Sequence, residues 1–459
     1  MPRRNVELAA AIAETGWSQT AVAAAMVRVA AEVGAEEVFT VKRSHIAMWV
    51  AGTRPRGQAA AILRETLSRR LGRPVTLAEL GLVGTSPDLA AEWDADTLTN
   101  LVDLRRDNMD RGRRRLLSGA AYSVGGLALP QDSWWDEAPH RARTRSTGAT
   151  HAVGETEVRA VREMTEFFAR RDQRHGGVDG RTALCQYIVD DVARYVGGSF
   201  GSERARRSLY SAASEAVYVA GWMSFDASQH ELARRYFSLS LKLAAEADDT
   251  PLTGHILRAM AHQAIDLGHF KAGLELATSS VERDRYAHST SRERALIGIV
   301  RARALAVNGQ RRQAVTAINQ AEADLNRAAP GDEEPQRIWF FQEASLAHET
   351  ARALWALGDL DGALRHFHDS VRYRRADAFS RTHAVTLGYM GTVQARQGNL
   401  EAACHTWTLA LDAMDGVQSG RTREAATTMR AVLSPFRNRG ISPVSEVDAR
   451  ARAVLQQVP

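Results

Sequence analysis

Lysine is almost absent from this chain. Only Lys42, Lys242 and Lys271 occur among 459 residues, so arginine supplies nearly all of the positive charge. That bias reflects GC-rich coding first and chemistry second. Cysteine is as scarce: Cys185 and Cys404 stand far apart in helical pattern, which excludes a disulfide framework and a cysteine zinc site and points to a reducing compartment. No apolar run reaches about 18 residues, so no segment is expected to span a membrane. The opening Pro2-Arg3-Arg4 turns amphipathic at once, which argues against a secretion signal and for a cytoplasmic protein.

Signatures of catalysis are thin as well. There is no Gly-Lys dipeptide for a phosphate-binding loop, and His348-Glu349 lacks a following histidine at zinc-protease spacing. His366-Phe367-His368 alternates across a helix and would not converge on a metal. No enzyme activity, cofactor or metal is expected. What is present is an ordinary globular composition, 44% hydrophobic and 25% charged, with 59 basic against 54 acidic residues leaving +5. A mildly basic chain of this length is expected to form more than one unit and is compatible with a nucleic-acid partner.

The stretch Thr40 to Arg56 reads as a short helix with two apolar anchors, Ile46 and Trp49, on one face. The other side offers Lys42, Arg43, Ser44, His45 and Met48, side chains suited to phosphates and base edges. Gly52 ends the helix, and Pro55 between Arg54 and Arg56 keeps it from resuming. Before it, residues 5–15 form a small helical face ending at Gly16, and Ser18 is an N-cap for a helix from Gln19 to about Glu32. After it, a helix over Gly57–Leu71 closes at Gly72, and Thr76-Leu77-Ala78-Glu79 has capping-box spacing.

Trp17-Ser18-Gln19-Thr20-Ala21-Val22-Ala23 resembles the second helix of phage-repressor-like helix-turn-helix domains. Val41 to Pro55 resembles their third, an aliphatic residue, then Trp, Gly and Pro. The resemblance implies groove-facing positions at Lys42, Arg43, Ser44 and Met48, and backbone contacts from Gln19, Arg54 and Arg56. One departure stands out. About a dozen extra residues, roughly Val27 to Phe39, separate the two helices, so either the second helix is lengthened or the turn has become a loop.

Residues 1–84 are therefore taken as the helix-turn-helix unit and 85–156 as a linker. The linker holds a possible helix over Glu92–Asn108 and a basic run at Arg105-Arg106 and Arg111–Arg115. Arg113 to Pro130 mimics a twin-arginine export signal, but more than a hundred residues precede it, and a buried linker helix is expected instead. Gln131–Thr156, with Trp134-Trp135, Pro139 and scattered arginines, reads as an irregular crossing.

From 157 to 459 the pattern is helix after helix, with an internal repeat. Gly309–Ala314, Gly358–Ala363 and Gly398–Ala403 share the form Gly-x4-Ala. Each is followed by a large apolar residue, Ile318, Phe367 or Trp407, and preceded by a small one, Ala302, Ala351 or Gly391. Gly268–Gly273 with Ala261 is a fourth copy, and Ser228–Ala233 with Gly221 and Phe237 a fifth that lacks the turn glycine. This resembles the tetratricopeptide repeat. The turns at 228, 268, 309, 358 and 398 are spaced more widely than its usual ~34 residues, so helices or connections must be longer. Glu155–Arg171 and Arg181–Tyr195 are expected to begin the array, and Arg421–Leu433 and Val444–Val458 to close it.

The expected fold is all-α: an N-terminal helix-turn-helix followed by an α-solenoid of helix pairs. Its concave groove should be lined by Glu215, Tyr218, Trp222, Asp226, Arg258, His262, Asp266, Arg303, His348, Arg352 and Trp355. The two halves together are similar to bacterial regulators, including peptide-sensing ones and actinobacterial relatives linked to sporulation and antibiotic production. That resemblance implies a homodimer bound to double-stranded promoter or operator DNA, with a peptide or small-molecule effector in the solenoid. The alternative is a tetratricopeptide scaffold whose degenerate N-terminal helices bind a protein partner.

Overall fold

The computed structural model describes residues 4–33, 35–82, 93, 95–102, 122–145, 151–329, 331–437 and 439–456. The basic run Arg105–Arg115 and most of the helix expected over Glu92–Asn108 lie outside them. The fold is all-α. Twenty α-helices fill the described residues, and the only strands among them are two short parallel ones, Ala152–Val153 and Ser199–Phe200.

Four helices build the N-terminal unit: α1 (Val6–Glu14), α2 (Gln19–Val33), α3 (Arg43–Val50) and α4 (Ala59–Leu71). Asn5 caps α1 by accepting from the Leu8 N–H at 2.8 Å, and Ser18 caps α2 by accepting from Ala21 at 3.2 Å. Gly72 closes α4 in the left-handed conformation, φ +69°. Thr76 and Glu79 form the expected reciprocal box, at 2.7 and 3.1 Å. One core runs from Leu8 through Met26, Ile46, Trp49 and Leu63 to Leu82.

The extra residues between α2 and α3 divide into both of the anticipated forms. Helix α2 continues to Val33, and a 3₁₀ turn over Glu36–Val38 brings the chain back. Buried Ala35 and Val38 anchor that return, and Glu37 accepts from the Gln58 N–H at 2.6 Å, tying it to the start of α4.

Two expectations fail beyond this unit. The described part of the export-like segment, Tyr122–Pro130, is buried as expected but not α-helical; it makes one 3₁₀ turn, Gly125–Leu127. The Ser123, Val124 and Gly125 amides go to Glu231 and Glu65, and those of Gly126, Leu127 and Ala128 close the turn on itself. The stretch read as an irregular crossing holds a regular element as well: Asp132–Thr144 forms helix α5 despite Pro139. Trp134, Ala138 and Ala142 recur on one buried stripe, and Arg141 donates to the Trp134 carbonyl while lying 4.7 Å from its ring.

Helix α6 (Glu155–His175) leads into α7 (Arg181–Tyr187), a π turn and α8 (Ala193–Val196). Then come the pairs: α9 (Glu203–Asp226) with α10 (His230–Glu246), α11 (Thr250–Asp266) with α12 (Phe270–Ser279), and α13 (Ser291–Val307) with α14 (Arg311–Asn326). They continue as α15 (Glu343–Ala356) with α16 (Leu360–Tyr373), α17 (Ser380–Arg396) with α18 (Leu400–Ala413), and α19 (Gly420–Leu433) with α20 (Ser442–Gln456). Gly268, Gly309, Gly358 and Gly398 turn within their pairs at φ between +76° and +85°; Ser228 adopts +60° at the equivalent place. The small-against-large pairing holds too: a Cβ on Gly391 would strike the Trp407 ring, and one on Gly221 the Phe237 ring.

The array closes on itself. Helix α6 packs along α9 and also reaches α17. The Gln418 N–H donates to the His175 carbonyl at 2.7 Å, and Val178 donates back to Gln418 at 3.3 Å. The connection of the widest repeat interval, between α14 and α15, also turns inward, burying Ile338 and Phe341.

Candidate functional site

Helix α3 is built as its pattern requires. Ile46 and Trp49 are buried, while Lys42, Arg43, Ser44 and Met48 are exposed. Arg54 and Arg56 are exposed on either side of buried Pro55, and Gln19 is half-buried at the first position of α2. His45 is half-buried, and its Nδ1 accepts from the Lys42 N–H at 3.0 Å, which assigns that nitrogen to capping the helix. Elsewhere in the unit Arg69 pairs with Glu32 and Glu65 and Arg73 with Glu14 and Glu79, whereas Arg70 donates to the Thr15 carbonyl and lies over the Trp17 ring, and Arg28 is exposed. Among the described residues Lys42, Arg43, Arg54 and Arg56 have no such carboxylate.

The residues expected along the groove do converge, but on one another. Arg303 pairs with Asp266 and, at 3.1 Å, with Glu349; Arg352 reaches the same Asp266 at 3.1 Å. His262 lies 3.3 Å from Asp266 and edge-on to Trp222. Arg258 donates to the Tyr218 hydroxyl at 2.9 Å, Glu215 pairs with Arg337 at 3.1 Å, and His348 meets Thr386 at 2.8 Å. Asp226 accepts from Gly177, Arg381 and Ser419, at 2.7, 2.9 and 2.9 Å. Trp355 goes elsewhere, against Tyr389 and Arg396 of α17. The open groove is thus replaced by a charged interior, because α6 and residues 336–342 occupy the concave face.

Burial penalises every charge there, and the neighbours decide which survive. It opposes ionisation of Glu293, yet Arg337 and His255 hold that carboxyl down to about 2. Glu349 and Asp266 are likewise held well below the usual range, against burial, by His262 and Arg303 for the first and Arg303 and Arg352 for the second. Burial and Arg258 push His255 down to about 3. That ring is neutral: its Nε2 accepts from Arg258 and its Nδ1–H donates to Glu293, both at 2.9 Å. Burial pushes Asp172 up to about 7, with Arg381 opposing and Asp226 reinforcing. Burial and Arg381 push Arg374 down to about 10.

Glu293, Glu349, His255 and Arg421 extend this interior at inner-helix positions near those foreseen, and the repeat register could have found them. Asp172, Arg337, Arg374 and Arg381 could not be found that way. Asp172 precedes the array, Arg337 lies in the connection, and Arg374 and Arg381 flank the turn into α17.

Gly197 to Gly201 carries a Gly-x-Ser-x-Gly pattern, the spacing of a nucleophile elbow. Ser199 sits within the second strand rather than on a strand-to-helix turn, and its Oγ donates to the His151 backbone carbonyl at 3.1 Å. No side-chain base is hydrogen-bonded to it among the described residues.

Among known families, the SP15 N-terminal domain matches residues 8–83. That range coincides with the first core, Leu8 to Leu82. No curated protein matches the chain. No helix among the described residues is long and apolar enough to cross a membrane.

Proposed function

We propose that this chain is a cytoplasmic, DNA-binding transcription regulator of the sporulation or secondary-metabolism kind. Its N-terminal unit acts as a helix-turn-helix, and its tetratricopeptide-like repeats mediate dimerisation or sense an effector. One observation carries the reading: Lys42, Arg43, Arg54 and Arg56 are exposed, without a carboxylate partner among the described residues, around a helix whose other face is fixed in the core. Unpaired cations on a rigid edge suit phosphates, and Ser44 and Met48 between them suit base edges. In a dimer two such helices would address two half-sites.

Arg43→Ala should lower specific binding to the protein's own promoter while the repeats stay folded, read by footprinting and circular dichroism. Unchanged affinity and footprint would sink the assignment. A second reading, a protein-interaction scaffold, is favoured by Phe39 and Met48, which are 43% and 46% exposed beside the same helix. Salt separates the two. DNA affinity should fall by about one power of salt concentration per phosphate contacted, whereas an apolar protein contact should barely respond.

A further inference from the structure

Two adjoining recesses remain inside the closed array. The first, about 690 Å³ including the open space at its mouth, exposes mainly apolar surface from Ala169, Val219 and Trp339, with Glu166, Asp172 and Glu215 and the cations Arg162 and Arg337 also on its wall. The second, about 560 Å³, is lined by Arg258, Arg374, Arg381 and Arg421 against a single carboxylate, Glu349. Both are bounded by Gln173, Trp222 and Phe340, so the two recesses adjoin across these side chains.

The cationic recess is under-neutralised. Glu349 already serves Arg303, Arg381 is matched by Asp172 and Asp226, and Arg421 lies 3.8 Å from Asp266, which leaves Arg258 and Arg374. Arg258 and Arg374 are 2% and 8% exposed, and neither meets a carboxylate among the described residues. Arg258 donates to Tyr218 and meets His255; Arg374 donates only to the Ala344 carbonyl at 2.9 Å and Ser370 Oγ at 3.1 Å. The Nε–H groups of Arg258, Arg374 and Arg381 are buried without an acceptor. Interior guanidinium groups are normally paired, because the lost hydration has to be replaced. Here three such guanidinium groups line a cavity, their Nε–H groups turned into the protein and their remaining edges toward the opening.

We propose that the adjoining recesses bind a small amphipathic anion. Its acidic head sits against Arg258 and Arg374, and its apolar body lies along Trp222, Phe340 and Trp339. The enclosed part is narrow, so only a compact molecule that extends into the solvent-open mouths would fit. An extended peptide laid along the inner helices would have to displace α6 and residues 336–342. The site stands on the cavity alone; only its role as the effector site rests on the regulator reading above.

The test uses the full chain without DNA, so it is independent of promoter binding. The probes are 1-anilinonaphthalene-8-sulfonate and its uncharged counterpart N-phenyl-1-naphthylamine. Saturable binding of one sulfonate per chain is expected, weakened tenfold or more by Arg374→Met and by Arg258→Met, with the neutral probe unaffected. Equal weakening of both probes, or none, overturns the proposal. Inorganic phosphate, compared with chloride at equal ionic strength, should raise the melting temperature of the wild type and of Arg43→Ala but not of Arg374→Met. Arg374→Met should itself melt no lower than the wild type in phosphate-free buffer, since it removes an unpaired buried cation. If the methionine variants do not fold, the wild type decides: a phosphate response absent there overturns the site, and a response kept by Arg374→Lys supports it.

Discussion

Arg381 on α17 donates to Asp172 at the end of α6 at 2.9 Å, across 209 positions of sequence. Its other terminal nitrogen holds Asp226 at the same distance, so one buried guanidinium joins the entry helix, the first repeat and the fifth. Arg381→Met would leave two buried carboxylates facing each other and is expected to cost about 3–5 kcal/mol in denaturant unfolding. Asp172→Asn should cost much less, because burial and Asp226 already push that carboxyl up to about 7. The reverse order would show that Arg381 does not hold the ring closed.

The turn between α9 and α10 repeats the others with the wrong residue. Ser228 sits at φ +60°, where Gly268, Gly309, Gly358 and Gly398 stand in the later pairs. A side chain in this conformation costs about 1–2 kcal/mol, partly offset by the chain entropy glycine adds to the unfolded state. Ser228→Gly should therefore stabilise by up to ~1 kcal/mol, since among the described residues the serine hydroxyl makes no hydrogen bond that the change would remove. A lower denaturation midpoint would mean that Ser228's contact with the start of α19 at Gly420 matters more than its strain.

Acid should loosen the interior well before ordinary carboxylates titrate. His255 is held at about 3, and His262 and His348 are also lowered, chiefly by burial. Below pH 6.5 the unfolded chain takes up these protons while the folded chain does not, so stability falls as pH drops from there toward 3. Glu293, held at about 2 against an ordinary 4.5, adds loss of the same sign at lower pH. Asp172 acts oppositely: raised to about 7, it favours the folded state as pH falls below 7. His230, His269 and His383 are lowered as well, and Glu215, Glu275 and Glu424 are raised like Asp172; six such histidines against four carboxylates give a melting temperature that declines between pH 6.5 and 5. His255→Gln should flatten the curve, and an equally steep decline in that variant would remove His255 from the account.

What could be read in advance follows from range. Helix α3 was legible because Ile46 and Trp49 share a face by local spacing alone, and the repeat turns because glycine marks left-handed backbone wherever it recurs. The inner residues were legible as a set, since register places them on the same side of successive helices. Their surroundings were not. Closure depends on pairs such as Asp172–Arg381 and Glu215–Arg337, which join elements that nearest-neighbour stacking keeps apart. The connection that fills the concavity showed only as a wide interval between Gly309 and Gly358. Helix α5 stayed hidden because a single buried stripe, Trp134, Ala138 and Ala142, competes with Pro139 and a charged remainder.

Glu65 decides whether the N-terminal unit and the repeats unfold as one body. It lies on buried α4 and accepts from Ser123 Oγ, Val124 N–H and Gly125 N–H at 2.8, 3.2 and 3.0 Å, while Arg69 donates to it at 2.7 Å. The same short segment is held from the repeat side: Glu231 accepts from the Ser123 N–H, and Arg234 donates to the Gly126 carbonyl, both at 3.0 Å. Tyr122 stacks on His269 beside it, and the Gly72 carbonyl accepts directly from Ala272. Glu65→Ala strands two buried amides and a hydroxyl, a loss of about 2–4 kcal/mol given 1–3 for each unsatisfied group and partial access of water. Each body keeps its own core, so the loss falls on their junction. Calorimetry should then resolve two transitions in place of one, and the Val124 and Gly125 amides should exchange faster. Glu65→Gln, which keeps one acceptor oxygen, should lie between. A single transition and unchanged exchange in Glu65→Ala would show that Gly72–Ala272 and the Tyr122–His269 stack suffice to couple the two bodies.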